Sequence, residues 1–389
     1  MPEAPSVSLP TIAREWLRIG VTGFGGPPTH IVLLRRLCVT DRHWIEEPEF
    51  EDAIAAVNLL PGPASTQLAI WCGWRLRRTA GALLAGFCFI VPGLVLIIGL
   101  AAVFLAAHPP KVVLGASAGA GSAVAAVALH AAWGLAPASW KRIQRAGADV
   151  ANTPAKTRWL TYATLGALSA ALIGPWLVLV LLACGLIEVA VRLRPAAGVR
   201  ALLPFLAPAT SATGGLLALA FTAFKVGALS YGGGFVIIPL MQHDAVRTHH
   251  WMSSSQFLDA VALGQITPGP VVQTVAVVGY AAAGVGGALL AAGVAFAPSF
   301  VFVIAGGSHF DRMRGDKGVQ AFLTGAGPAV IGAIAGSAIP LAAALDHPWQ
   351  FVLLASAAVW LLVLRRGVVS ALLLAAACGA AGVALGLPV

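Results

Sequence analysis

Charge is what this chain has least of. Asp, Glu, Lys and Arg make up 10% of its 389 residues, where a soluble protein carries about 25%. Such a chain cannot dress a water-facing surface, which excludes an ordinary soluble domain. Cysteine is scarce as well. Cys38, Cys72, Cys88, Cys184 and Cys378 lie in or beside apolar runs, none at a metal-binding spacing. Packing is the role this leaves them. The nine histidines contain no His-x-x-x-His pair. No Ser/His/Asp set suggests an enzyme, and neither a phosphate-binding nor a dinucleotide-binding glycine loop is present. The expectation is therefore no catalytic residue, no metal, no cofactor and no ATP-driven step. Residues 2–10 lack an apolar core, so no signal peptide is expected.

What the chain does have is lipid-soluble length. Hydrophobic residues make up 59% of it and the mean hydropathy is +0.87. Apolar runs of roughly 20 residues recur, the length of helix that crosses a hydrocarbon core of about 30 Å. A membrane barrel would alternate at period two, and these runs are continuous. The predicted class is an all-α polytopic membrane protein. The length rule gives about 10–12 crossings. The net charge of +9 sits in short connectors: Arg75, Arg77 and Arg78; Lys141 to Arg158, read as a loop over 137–158; Arg192 to Arg200; Arg312 to Lys317; Arg365 and Arg366. That placement predicts basic connectors on the cytoplasmic side, with the bilayer as partner and no nucleic acid. Residues 159–191, interrupted by Gly174-Pro175, read as a hairpin of two helices, with a single tilted span as the alternative.

The chain repeats itself. Leu17-Arg18-Ile19-Gly20 leads into Gly23-Phe24-Gly25-Gly26-Pro27-Pro28. Phe224-Lys225-Val226-Gly227 leads into Ser230-Tyr231-Gly232-Gly233-Gly234-Phe235. Trp44 matches Trp251, Asp52 matches Asp259, and Pro61-Gly62-Pro63 matches Pro268-Gly269-Pro270, each pair 207 positions apart. The register then moves to 206, pairing Pro92 with Pro298, Lys111 with Lys317, and Gly119-Ala120-Gly121 with Gly325-Ala326-Gly327. Two copies of one unit follow from this: residues 1–195, a linker at 196–213, and 214–389. Arg75, Arg77 and Arg78 face an uncharged loop near residues 281–287 in the second copy. One loop later, Arg312, Arg314 and Lys317 face the nearly uncharged His108-Pro109-Pro110. The basic bias has changed sides, so the two halves are predicted to be inverted in the membrane. Parity between the two copies then requires a segment that fails to cross. The glycine and Pro-Gly-Pro breaks are its candidates, because irregular backbone survives at membrane depth only where protein or a cavity covers it.

A broken helix exposes N–H groups at the start of the next helix, and these with the helix dipole attract anions. Glycine lets the backbone come close, and proline suits the first turn of the resumed helix. Gly25-Gly26-Pro27 and Pro61-Gly62-Pro63 with Ser65 fit that design. So do Gly232-Gly233-Gly234 and Thr267-Pro268-Gly269-Pro270. Taken singly, each break could be a packing kink; repeated in register, the four predict a shared anion site near the midplane. Arg18 and Lys225 hold matched positions inside apolar stretches, where a cation is costly and so a functional candidate. Snorkelling to the interface is the alternative for Arg18. Phe24, His30, Tyr231 and Gln242 complete the candidate substrate-binding set. Asn58, Thr66, Gln67, Ser230, His243, Asp244, Gln265 and Gln273 are weaker polar candidates, which helix-helix contacts would equally explain. Asp52 and Asp259 read as caps of helices starting near them, with proton carriage as the alternative.

Taken together, Gly23-Phe24-Gly25-Gly26-Pro27 with His30, Leu60-Pro61-Gly62-Pro63, Lys225-Val226-Gly227 through Gly232-Gly233-Gly234-Phe235, Pro239-Leu240-Met241-Gln242 and Thr267-Pro268-Gly269-Pro270 resemble the chromate ion transporter family in its two-domain form. The resemblance spans nearly the whole chain. It implies efflux of chromate across the bacterial inner membrane, with chromate resistance as the outcome. Sulfate, a dianion of similar size, is a further substrate it suggests, and a homodimer is an assembly compatible with it. An oxyanion channel or a sulfate transporter of the same fold is the competing reading. Ser230-Tyr231 stands where the first copy has Gly23-Phe24, so the two halves are not interchangeable at the site.

Overall fold

A computed structural model of the chain describes residues 7–57, 62–106, 109–147, 154–173, 177–193, 215–230, 237–306 and 316–388. Among these residues every regular element is helical. Helix α1 (Leu9–Thr22) buries Ile12, Trp16 and Ile19 on one face, at the spacing of a helical stripe. The Trp16 indole N–H donates to the Ala69 carbonyl at 3.0 Å. Helix α1 stops at Gly23, and α2 (Pro27–Arg35) starts on Pro27-Pro28 and widens into a π turn over Arg36–Asp41. Next come α3 (Glu47–Val57), α4 (Ala64–Phe104), α5 (Lys111–Ser122), α6 (Val124–Gly147), α7 (Ala155–Leu168) with a π turn over Ser169–Ile173, and α8 (Leu177–Leu193). The second half repeats the order. It has α9 (Leu216–Leu229), α10 (Ile237–Gln242) with a π turn over His243–Thr248, and α11 (Ser254–Ile266). After these come α12 (Thr274–Gly306), α13 (Lys317–Ala343), α14 (Pro348–Ala358) with a π turn, and α15 (Val368–Ala384).

The two longest helices are folded back on themselves. In α4 the backbone reverses at Arg77 and Arg78, where Arg78 takes φ 50° and ψ −140°. In α12 it reverses at Ala283 and Gly284, with φ 62° and ψ −153° at the glycine. These turns stand at matched positions. In a straight helix, residues eight apart would be about 12 Å distant. Instead, a Cβ on Gly73 would lie 2.4 Å from the Gly81 carbonyl, and one on Gly279 would lie 2.4 Å from that of Gly287. Each element is therefore a short arm entering the turn and a long arm leaving it. The arm 64–76 measures about 20 Å and the arm 79–104 about 39 Å at 1.5 Å per residue.

The halves exchange contacts. Within each half the first helix packs on the hairpin, α1 on α4 and α9 on α12. Between halves, α5 packs on α15 and α13 packs on α7 and α8. Small residues make both crossings close. A Cβ at Gly119 would lie 2.2 Å from the Ala375 carbonyl, and one at its match Gly325 would lie 2.2 Å from that of Cys184. Neither half could bury these faces alone.

Four described helical stretches are long and apolar enough to cross a membrane: Ala64–Phe104, Lys111–Gln144, Val271–Gly306 and Lys317–Ala343. Leu216–Leu229, Pro348–Val363 and Val368–Ala384 are apolar and shorter. Two readings change. The basic loop over 137–158 is helical as far as Gly147, with Pro137 inside α6. Asp52 and Asp259 are not caps, because α3 begins at Glu47 and α11 is capped by Ser253, whose hydroxyl accepts from the Gln256 N–H. Asp259 instead lies buried within α11 against Gly121 of α5.

Candidate anion site between the halves

Two hydrogen bonds define the centre of the molecule. The Gly62 N–H donates to the Ser230 carbonyl at 2.7 Å, and the Gly269 N–H donates to the Gly23 carbonyl at 3.0 Å. Gly62 matches Gly269, and Gly23 matches Ser230. Each Pro-Gly-Pro turn thus bonds to the end of the other half's first helix, as a two-fold relation requires. Gly62 has φ 128° and Gly269 has φ 99°, values that side chains oppose. The ends of α1 and α9 and the starts of α4 and α12 are thereby gathered at one place.

The two turn N–H groups, expected as free donors for an anion, are occupied by these carbonyls. What remains open is carried by side chains. Thr66 Oγ1, Ser230 Oγ, Gln265 Nε2, Gln273 Oε1 and Ser299 Oγ are buried without a hydrogen-bond partner. A Cβ on Gly62 would meet Ser299 Oγ at 3.2 Å, and one on Gly269 would meet the Gln273 amide at 3.0 Å. That same Nε2 of Gln273 donates to the Ile90 carbonyl at 2.8 Å, which leaves Oε1 open. Three hydroxyls and an amide N–H can donate to an oxyanion, and buried polar groups in native proteins are otherwise almost always paired. Ser299 escaped the sequence reading. Its match is Gly93, directly after Pro92, so the residue following each matched proline was the signal available.

His30 serves the scaffold. It is fully buried, with Nε2 2.8 Å from the Gly23 carbonyl and Nδ1 3.3 Å from Ser65 Oγ. A carbonyl only accepts, so Nε2 carries the proton and Nδ1 accepts from the Ser65 hydroxyl. The ring also stands edge to face with Phe89 at 4.9 Å. Gly25 and Gly26 have φ of 101° and 74°, and Gly26 precedes the first turn of α2. Pro63 precedes α4, and Pro270 precedes the 3-10 turn Val271–Gln273. The Thr267 hydroxyl donates to the Leu263 carbonyl of its own helix, and the Pro268 carbonyl packs against Gly93.

Both matched cations have carboxylate partners, although Arg18 shares Glu15 with Arg14 and Arg42, so the first-half cluster keeps positive charge. Lys225 Nζ lies 2.5 Å from Asp244 Oδ2, which also accepts from the Thr222 hydroxyl at 2.9 Å. Arg18 is 63% exposed and pairs with Glu15 at 3.4 Å. It lines a groove of about 330 Å³ with Thr22, Arg36 and Asp41. Phe24 is exposed, and Gln242 is half-buried two residues from Asp244. Arg18, Lys225, Phe24 and Gln242 therefore make none of the contacts that join the four ends. Pro61, Tyr231, Gly232, Gly233 and Gly234 lie outside the described residues.

A helical membrane protein in two repeated halves, joined through interrupted helices, has the architecture of a polytopic transporter. The chain belongs to the chromate transporter family, which it matches over residues 10–189 and 217–383. It is 31% identical to a chromate transport protein of Cupriavidus metallidurans over 359 residues, covering 87% of this chain and 84% of that protein. It is 28% identical to a chromate transport protein of Pseudomonas aeruginosa, covering 87% and 82%. A probable chromate transport protein of Synechococcus elongatus matches at 28% identity, covering 87% and 85%. No solved structure matches the chain.

Proposed function

We propose that this chain exports chromate across the bacterial inner membrane as a secondary transporter, conferring chromate resistance, and that sulfate enters the same site. The reciprocal pair of hydrogen bonds between the Pro-Gly-Pro turns and the first-helix ends carries this reading. A junction shared equally by both halves is where rocking of one half on the other would open a site to either side. The open groups around it are neutral dipoles: the hydroxyls of Thr66, Ser230 and Ser299 and the amide of Gln265. Neutral donors hold an oxyanion without a fixed counter-ion, and a transported ion must be able to leave. Arg18 and Lys225 act at a distance in this reading, Arg18 in the groove beside the end of α1 and Lys225 through its pair with Asp244. We further infer that the halves are inverted, from the exchange of basic loops between them.

Purified protein in liposomes tests the proposal. Chromate uptake that exceeds equilibrium under an imposed ion gradient, and that sulfate competes, is the expected result. Flux that only follows the chromate gradient would replace the transporter with a channel. Cysteines introduced at Arg77 and Gly284 should be labelled from opposite faces of the membrane.

A further inference from the structure

Away from the central junction, the last helices of the first half hold a buried charge cluster that the transport reading does not use. Arg158 and Tyr162 lie on α7, and Glu188 and Arg192 on α8. Glu188 is fully buried. Its Oε2 accepts from the Tyr162 hydroxyl at 2.9 Å, and its Oε1 accepts from Arg192 Nε at 2.7 Å. Arg192 Nη2 stands 2.6 Å from the same Oε1. The carboxylate is thus committed to Arg192 and Tyr162. Arg158 is 5% exposed, and its nearest carboxylate oxygen, Glu188 Oε1, is 3.7 Å away. That is too long for a hydrogen bond. Its Nε, Nη1 and Nη2 are all buried with no acceptor.

Two guanidinium groups face one carboxylate, so the cluster keeps one positive charge. A buried cation whose whole donor fork is unmatched is costly, and native proteins almost always supply an acceptor. The planar fork of arginine fits a tetrahedral oxyanion in two-point contact, with charge-assisted bonds. Arg158 lies at the start of α7 and Arg192 at the end of α8, so both border basic connectors, at the bundle end the basic bias puts in the cytoplasm. The second half has no equivalent, since α15, the counterpart of α8, contains no charged residue. A ligand here would address one half only.

We propose that Arg158 is the principal ligand of a second anion site, which takes a phosphate group on the cytoplasmic side and clasps α7 to α8 against α13. The phosphate could belong to an anionic lipid headgroup or to a free anion, and the two sources are separable. The proposal does not depend on what crosses at the central junction.

The experiment uses the full-length protein, wild type and Arg158→Met, and follows thermal unfolding. One arm adds inorganic phosphate to protein in neutral detergent, with chloride at equal ionic strength as control. The other compares nanodiscs of phosphatidylcholine alone with nanodiscs containing phosphatidylglycerol. Stabilisation by phosphate over chloride identifies a free anion, and stabilisation by phosphatidylglycerol alone identifies the headgroup. In either case Arg158→Met should weaken the apparent affinity at least tenfold, and Arg158→Lys should restore part of it. Equal responses of wild type and Arg158→Met in both arms would overturn the proposal. If Arg158→Met does not fold, native mass spectrometry of the wild type decides. One retained phosphate or phosphatidylglycerol is expected, and bare protein from both preparations overturns the site.

Discussion

At the first chain break the Gly23 carbonyl accepts from both His30 and Gly269. At the second break the matched carbonyl, of Ser230, accepts from Gly62. The position matching His30 is Ile237, which is buried and offers no hydrogen bond. The Ser230 hydroxyl is left open, where Gly23 has no side chain at all. The ion pairs beside the breaks differ in the same manner. In the first half Glu15 of α1 meets Arg42, just past the π turn, at 3.1 Å. In the second half Lys225 of α9 meets Asp244, within the matched π turn, at 2.5 Å. Each half ties its first helix to the segment at its π turn by an ion pair of opposite polarity, built at unmatched positions, since Glu15 and Arg42 correspond to Thr222 and His249. Repetition thus preserves the backbone junction, while the side chains make one break a lock and leave the other with an open hydroxyl.

The comparison breaks first at the glycines. Gly62→Ala would place a Cβ 2.3 Å from Gln67 Nε2, and Gly269→Ala one 3.0 Å from Gln273 Nε2. Positive φ adds about 1–3 kcal/mol of strain at each. Both should lower chromate flux in liposomes more than tenfold, with Gly62→Ala also showing the larger fall in melting temperature. A harmless Gly62→Ala beside an inactive Gly269→Ala would mean that the junction is not shared. The ion pairs come next. Lys225→Met strands the mostly buried Asp244, which should cost roughly 1–3 kcal/mol of stability after allowing for partial exposure. Exchanging the residues, Lys225→Asp with Asp244→Lys, gives the polarity of the first half and should recover most of that loss. Arg18→Ala, on the exposed partner of Glu15, should stay within about 0.5 kcal/mol. A collapse there equal to that of Lys225→Met would make the two cations equivalent after all.

The register of 207 located the breaks and the matched Pro-Gly-Pro turns, because glycine and proline mark interruptions along a chain. The reversals at Arg77–Arg78 and Ala283–Gly284 fall in the connectors that were compared by their charge. Residues 159–191 divide between α7 with its π turn and α8, the hairpin rather than the single span, while Gly174-Pro175 itself lies outside the described residues. Partnerships were not legible. Lys225 looked like an uncompensated cation because Asp244 lies beyond a chain break and reaches it only after the fold turns back. The Pro-Gly-Pro N–H groups looked available because their acceptors belong to the other copy. The misplaced caps at Asp52 and Asp259 had a local remedy. Ser253 three residues before Gln256 is a capping-box pattern that fixes the start of α11 without any structure.

Smaller effects sharpen what distinguishes scaffold from site. Ser299→Ala removes a buried hydroxyl that has no partner. Stability should therefore stay level or rise by up to about 1 kcal/mol, because an unsatisfied buried group is lost. If the hydroxyl serves the anion, half-saturating chromate should rise roughly threefold to tenfold, since one neutral hydrogen bond is worth about 0.5–1.5 kcal/mol. Unchanged transport kinetics would assign Ser299 to packing alone. The smallest effect belongs to the hairpin turn. Arg78 holds φ 50° where the second half has Gly284 at φ 62°, so Arg78→Gly relieves strain of about 1–3 kcal/mol. The same change loses the stacking of the guanidinium 4.7 Å over Trp74, worth about 0.5–1 kcal/mol at an exposed position. The balance predicts a melting temperature equal to wild type or a few degrees higher, with chromate flux unaltered. A clear fall in melting temperature would show that the first hairpin relies on that cation in a way its uncharged counterpart does not.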